Sequence, residues 1–256
     1  IFADFFLIIN LFFKIFKYRK NSILLNFTIK PLIFGSFVSG LMKLPTINMI
    51  TGLGTVFIKD NYLTRLVLIL YKIAFKKVYC VLFQNIDDKK IFIKNNIVIE
   101  KNTHLIPGSG IDLKKFSFRK LKTKKYTVFL MVSRILKEKG VQEYIQAAEL
   151  AKNDNLKVKM NLIGSFVKQN KSSLSKEIIF KAHKKRVINY LGFIDDIRNE
   201  IYKSDCVVLP SYYREGVPRS LLESASMGKP IITTENVGCR EVVDEGQNGF
   251  KCEVKN

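Results

Sequence analysis

The chain has 256 residues, 47% of them hydrophobic and 25% charged, a globular composition that excludes a disordered or fibrous polypeptide. Its 43 basic and 22 acidic residues leave a net charge of +21, divided as +9 through Asp112 and +12 beyond it. The excess is therefore no basic tail, and it favours anionic partners such as nucleic acid, phospholipid or phosphorylated substrates.

Lysines outnumber arginines 34 to 9, a bias that codon composition alone would also produce. The four cysteines are far apart and form no CxxC, and there are only two histidines, which excludes closely paired zinc ligands and favours a reduced protein.

Ile1 to Phe16 (IFADFFLIINLFFKIF) is apolar except at Asp4, Asn10 and Lys14. It is shorter than the ~20 residues that span a bilayer, and it lacks the basic start and small-residue cleavage site of a signal peptide. It reads as a buried helix. The interfacial alternative rests on Lys17, Arg19 and Lys20, which follow directly. Strands are expected at Ser22 to Phe27, Pro45 to Ile50 and Val78 to Phe83, with helices at Phe34 to Lys43 and Leu63 to Lys77. Thr51-Gly52-Leu53-Gly54 is a glycine loop, and Pro107 to Gly110 a break. The basic stretch 117–125 reads as a linker between domains at 1–116 and 126–256.

Beyond it the alternation is regular. Strands are expected at Tyr126 to Val132, Val158 to Ile163, Val187 to Tyr190, Cys206 to Leu209 and Pro230 to Thr234. Helices are expected at Val141 to Lys152, Asp196 to Lys203 and Pro218 to Met227, and Phe166 to Lys176 reads as a polar loop. Strands alternating with helices through short connections imply α/β architecture, with two doubly wound parallel sheets.

In such sheets ligands bind beyond the carboxyl ends of the strands. Ser133 to Gly140 (SRILKEKG) follows a strand and opens a helix, so Arg134 and Lys139 present two cations near a helix N-terminus, a site suited to a diphosphate. Two ordinary surface cations are the alternative. Glu215 to Glu223 (EGVPRSLLE) places Pro218 at a helix start, Gly216 where backbone can approach a ligand, and one carboxylate at each end of an extended ligand; a capped helix with solvated glutamates is the alternative. Leu191 to Asp196 forms a strand-to-helix loop whose backbone could line a planar base. Asp87-Asp88 and Asp195-Asp196 are adjacent pairs, read as helix N-terminal acids and not as a metal site.

Taken together and in this order, VSRILKEKG, NYLGFIDD, VVLPSYYREGVPRSLLESASMGKPIITT and VGCREVVDEGQNGF resemble the retaining GT-B glycosyltransferases of family 4, including their E-x7-E spacing. NFTIKPLIFGS, INMITGLGTVF, VLFQNIDD and IPGSGIDLKKF resemble the bacterial surface-polysaccharide branch that makes capsule, O-antigen or lipid-linked oligosaccharide. The resemblance implies a retaining hexosyltransferase that uses a UDP-sugar, with an N-acetylhexosamine as the expected sugar and a polyprenyl-diphosphate-linked saccharide as acceptor. It further implies a peripheral position on the anionic inner face of the cytoplasmic membrane, no nucleic-acid partner and no metal cofactor.

By the same resemblance, Arg134 and Lys139 would bind the diphosphate and, as catalytic residues, stabilise it as leaving group, and Glu223 would hold the ribose hydroxyls. Glu215 would meet the donor sugar near the reacting carbon. Gly216, Val217, Pro218, Ser220 and Leu221 would line sugar and phosphate, with backbone N–H donors from all of them but Pro218, and Phe193 and Ile194 would lie by the base. Thr28, Lys30, Thr51, Gly52 and Gly54 are the acceptor-side candidates. Many relatives carry a histidine after the first of these strands, where this chain has Thr28, Lys30 and Pro31; His104 and His183 read as surface or packing residues. The family's opening strand with its glycine loop and its closing helices are not found within the 256 residues, so the first domain is read as incomplete and the chain as truncated at both ends. The rival readings are a UDP-sugar epimerase of the same fold and a basic membrane- or nucleic-acid-binding protein.

Overall fold

A computed structural model describes residues 2–58, 61–120, 125–167, 170 and 172–255. The chain divides into two compact units: Ile1–Ser109 with Arg214–Gly216, and Gly110–Tyr213 with Val217–Asn256. The expected linker at 117–125 falls in the stretch that belongs to the second unit, and its residues 121–124 lie outside the described residues.

The first unit opens with α1 (Phe2–Tyr18). A four-stranded parallel sheet follows in the order β1-β2-β3-β4, made of β1 (Leu24–Phe27), β2 (Thr46–Ile50), β3 (Cys80–Phe83) and β4 (Thr103–Leu105). The helices between the strands are α2 (Ser36–Leu41), entered through a π-turn at Pro31–Gly35, α3 (Tyr62–Ala74) and α4 (Ile86–Lys94). The apolar core joins Ile50 and Phe83 of the sheet to Val67 and Tyr71 of α3 and Phe92 of α4, with Tyr71, Phe83 and Phe92 in ring-to-ring contact at 5.0–5.2 Å. Beside it lies a buried polar layer. Asn26 Nδ2 donates to Asn48 Oδ1 at 2.9 Å, and Asn48 Nδ2 donates to Ser36 Oγ at 2.7 Å. These bonds satisfy groups that would be costly to bury alone.

The expectation of a buried α1 is corrected. Ile15 is its buried side chain among those described, while Phe5, Phe6, Phe12, Phe13 and Phe16 are exposed. A helix apolar all round can turn only one stripe toward its own core, here against Val38 and Leu44. No helix among the described residues is long and apolar enough to cross a membrane.

The second unit is a six-stranded parallel sheet in the order β10-β9-β8-β5-β6-β7. Its strands are β5 (Thr127–Val132), β6 (Val158–Ile163), β7 (Asn189–Tyr190), β8 (Cys206–Leu209), β9 (Ile231–Thr234) and β10 (Gly249–Cys252). Its helices are α5 (Val141–Asn153), α6 (Lys176–Lys184), α7 (Arg198–Lys203) and α8 (Arg219–Ser226). β5 (TVFLMV) and β8 (CVVL) run as near-continuous apolar stretches, as strands covered on both faces do. Leu130, Met131, Leu162, Ile163, Val207 and Ile231 meet Val141, Tyr144 and Leu221 in one core. The buried Tyr144 hydroxyl donates to the Asn161 carbonyl at 2.9 Å, and burial pushes its pKa well up. Both sheets are parallel and α/β, as expected from the alternation.

Candidate functional site

In the second unit the loops that leave β5, β6, β7 and β8 gather at the carboxyl edge of one parallel sheet, the edge where ligands bind in such folds. The loop after β5 carries Arg134, which is exposed, and a 3-10 turn at Lys137–Lys139. Gly164 after β6 holds this loop close: a Cβ there would lie 1.8 Å from the Ser133 carbonyl oxygen. Ile135 N–H donates to the Ser165 carbonyl at 3.0 Å. Gly140 ends the turn at φ +77°, and a Cβ there would lie 2.0 Å from the Pro210 carbonyl oxygen. Glycine is therefore required on two counts, backbone hand and space. α5 starts one residue later, so the expected helix N-terminus follows the turn and does not include Lys139.

Arg134 and Lys139 converge on one ring. The Arg134 guanidinium carbon lies 5.9 Å, and the Lys139 Nζ 5.0 Å, from the centroid of Tyr213. Reading the sequence did not single out Tyr213; the signal available was an aromatic pair, Tyr212-Tyr213, in a strand-end loop.

The helix of EGVPRSLLE forms as α8, with Pro218 at its N-cap, one position earlier than expected. The shift follows from Pro218 ψ at 122°, which is extended and not helical. Glu223 lies in the second turn and is only 8% exposed. Its Oε1 accepts from Arg219 Nε at 2.9 Å. Burial raises the Glu223 pKa, while Arg219 and the charge of Lys115 pull it back down. Lys115, also missed from the sequence, adds a positive charge to the surroundings of this carboxylate. Leu221 is fully buried, and its N–H donates to the Pro218 carbonyl at 3.1 Å. Val217 is buried and Ser220 half-buried at the same helix start. In the loop after β7, Phe193 is 70% exposed, while Ile194 packs against the core. Asp196 forms a bidentate pair with Arg198 and also accepts its N–H, which holds the Asp196 pKa at about 2.

In the first unit Thr28 and Lys30 follow β1, and Thr51, Gly52 and Gly54 follow the adjacent β2, so both groups share one sheet edge. Thr28 holds a left-handed φ of 64°. The segment Arg214–Gly216 packs within this unit. Gly54 N–H donates to the Arg214 carbonyl at 3.0 Å, and Asn85 Nδ2 to the Glu215 carbonyl at 3.3 Å. Arg214 Nε pairs with the fully buried Asp88 at 2.9 Å. Asp88 lies in the first turn of α4, as its reading as a helix N-terminal acid requires. Gly52, at φ +105°, has no room for a side chain: a Cβ there would lie 2.3 Å from Gly216 N. The close approach at Gly216 is to Thr51 and Gln84. Glu215 is buried.

Among the described residues, no group of three or more His, Cys, Asp or Glu side chains is placed to hold a metal ion. His104 stands on β4, and the His183 Nδ1 accepts from Tyr190 N–H at 3.2 Å, a packing role.

Comparison with known proteins bears on these arrangements. The family described as "Glycosyl transferases group 1" matches residues 112–256. The chain is 29% identical to the N,N'-diacetylbacillosaminyl-diphospho-undecaprenol alpha-1,3-N-acetylgalactosaminyltransferase of Campylobacter jejuni, over 98% of this chain and 69% of that protein. It is 30% identical to the UDP-Gal:alpha-D-GlcNAc-diphosphoundecaprenol alpha-1,3-galactosyltransferase of Escherichia coli, over 66% of this chain and 46% of that protein. Its fold is similar to that of Anabaena Alr3699/HepE in complex with UDP-glucose, with a TM-score of 0.78 and 19% identity over 98% of this chain and 69% of that one. The expected GT-B architecture is borne out by this likeness and by the two parallel sheets.

Proposed function

The chain belongs to the group 1 glycosyl transferases, and from that premise we propose that it moves a hexose from a UDP-sugar to a polyprenyl-diphosphate-linked saccharide with retention of anomeric configuration. The convergence of Arg134 and Lys139 at the end of β5, on the same sheet edge as the start of α8, carries this reading. A departing UDP develops negative charge on its diphosphate. Cations and helix N–H groups fixed beforehand stabilise that charge without reorganising, so turnover is proposed to need no divalent metal. Glu223, buried in the second turn of α8, receives the ribose hydroxyls, and the exposed Phe193 ring with Ile194 takes the base. Glu215 meets the donor sugar, and Thr28, Lys30, Thr51, Gly52 and Gly54 belong to the acceptor side.

The lipid-linked acceptor is supported by the two relatives, both named for undecaprenyl-diphosphate-linked saccharides. The first transfers N-acetylgalactosamine, which supports an N-acetylated hexose here. Both are also named for alpha linkages, which supports the proposed retention for a donor that is itself alpha-linked. An acceptor of this kind would be met at the inner membrane face, and the charge of +21, which favours anionic lipid, supports a peripheral position there.

The test is a thermal-shift screen of UDP-, GDP- and ADP-sugars, with and without EDTA. Ligand at 100 times its Kd stabilises by about 2.7 kcal/mol. A shift with UDP-sugars alone, unchanged by EDTA, is expected. An equal shift with GDP- or ADP-sugars contradicts the donor, and loss of the shift in EDTA contradicts metal independence.

A further inference from the structure

We propose that Tyr213 is a positioning residue for the diphosphate site, its ring face gathering Arg134 and Lys139 before any ligand arrives; the inference rests on the diphosphate reading of those two cations. Two like charges on flexible side chains repel, and in water each would keep away from the other. The negative face of an aromatic ring attracts both, and each lies within the ~6 Å over which that attraction operates. The ring itself is anchored to the element that carries one of the cations. Tyr213 N–H donates to the Glu138 carbonyl at 2.9 Å, in the turn that holds Lys139. That carbonyl also accepts from Tyr212 N–H at 2.9 Å and from Ser211 Oγ at 3.1 Å. On the other side, the Tyr213 carbonyl accepts from Asn236 Nδ2 at 2.7 Å. The loop after β8 is therefore stapled to the cation-bearing turn after β5 and to the loop after β9. The backbone fixes where the ring starts, and the ring fixes where the cations wait. A diphosphate then meets charges already assembled, and less side-chain freedom is lost on binding.

The experiment measures binding of UDP, inorganic pyrophosphate and uridine by calorimetry to the wild type, Tyr213→Leu and Tyr213→Phe. Tyr213→Leu is expected to weaken UDP and pyrophosphate roughly fivefold to twentyfold, the effect of losing two cation–π contacts, while uridine binding holds. Tyr213→Phe keeps the ring face and is expected to stay within about twofold of the wild type. If Tyr213→Leu binds UDP as the wild type does, the inference is overturned. A parallel loss of uridine would indicate general damage, and a Tyr213→Phe loss equal to that of Tyr213→Leu would assign the effect to the hydroxyl; both contradict it. Should the leucine variant fail to fold, fluorinated phenylalanines at position 213 preserve shape while weakening the ring face. UDP affinity should then fall stepwise with fluorination, and a flat series overturns the inference. A wild type that binds uridine but neither UDP nor pyrophosphate defeats the diphosphate reading and this inference together, whereas tight wild-type binding with indifferent variants defeats this inference alone.

Discussion

At the scale of single residues, the two glutamates and Arg134 divide the proposed labour. Removing the Arg134 guanidinium takes away charge-assisted bonds of about 1.5–3 kcal/mol, so Arg134→Ala should weaken UDP roughly 10–150-fold. Unchanged UDP affinity in a folded variant would remove the diphosphate from Arg134. Glu223→Gln should weaken UDP and UDP-sugar alike, whereas Glu215→Gln should spare UDP and lower turnover; the reverse pattern would turn the ligand end for end. Glu223 also carries a pH signature. Its pKa is raised by burial, and the carboxylate is the form that accepts from ribose hydroxyls. UDP affinity should therefore begin to fall, as pH is lowered, above the ordinary glutamate midpoint of about 4.3. The same raised pKa means that the folded state binds this proton more tightly than the unfolded one, so Glu223 contributes stability at low pH that is lost as pH rises through the raised value. Glu223→Gln should flatten the UDP profile in a titration; a profile unchanged by the substitution would assign it to another group. The glutamate spacing, Arg134 and Lys139 could be seen in the sequence because they are linear motifs. Tyr213 and Lys115 could not, because a ring beside two cations and a charge that acts on a distant carboxylate are relations through space.

At the scale of elements, the strands β5 and β8 were legible as short apolar runs closed by Ser133 and Pro210, β6 as alternating apolar and polar residues closed by Gly164, and β9 as a β-branched run after Pro230. Three elements were not, and of α4 only the start was, through its N-terminal acids Asp87 and Asp88. α4 (IDDKKIFIK) and α6 (KEIIFKAHK) are too charged to show a wide apolar stripe; β4 has three residues, and β10 (GFKC) mixes apolar and polar positions. All four are settled by what they pack or pair against, which local pattern does not contain. α1 shows the converse: apolar composition marked a helix but not which face would be covered. The loops that carry the candidate site depend on glycine geometry in a way that can be checked. Gly140 has φ +77° and no room for a Cβ beside Pro210. Gly140→Ala should lower the unfolding free energy of the protein by more than about 1 kcal/mol, and UDP affinity with it, since Lys139 is the preceding residue. Denaturant melts that match the wild type would show that the turn tolerates a side chain.

At the scale of the whole molecule, the charge of +21 has a consequence independent of any one site. The protein should bind phosphatidylglycerol vesicles and leave them as salt rises from about 0.05 to 0.5 M, because the Debye length shortens severalfold over that range. Equal binding to phosphatidylcholine in a sedimentation assay would show that charge does not drive it. The chain spans 69% of its C. jejuni relative and 46% of its E. coli relative, so transfer itself is the claim most in need of direct observation. The measurement is to incubate the protein with UDP-N-acetylhexosamine and UDP-hexose donors and a polyprenyl-diphosphate-linked saccharide, then to read the lipid product by mass spectrometry and its new linkage by NMR. The account predicts one added sugar in alpha linkage, formed only with acceptor present. A beta linkage, or conversion of one UDP-sugar into another without acceptor, would contradict it.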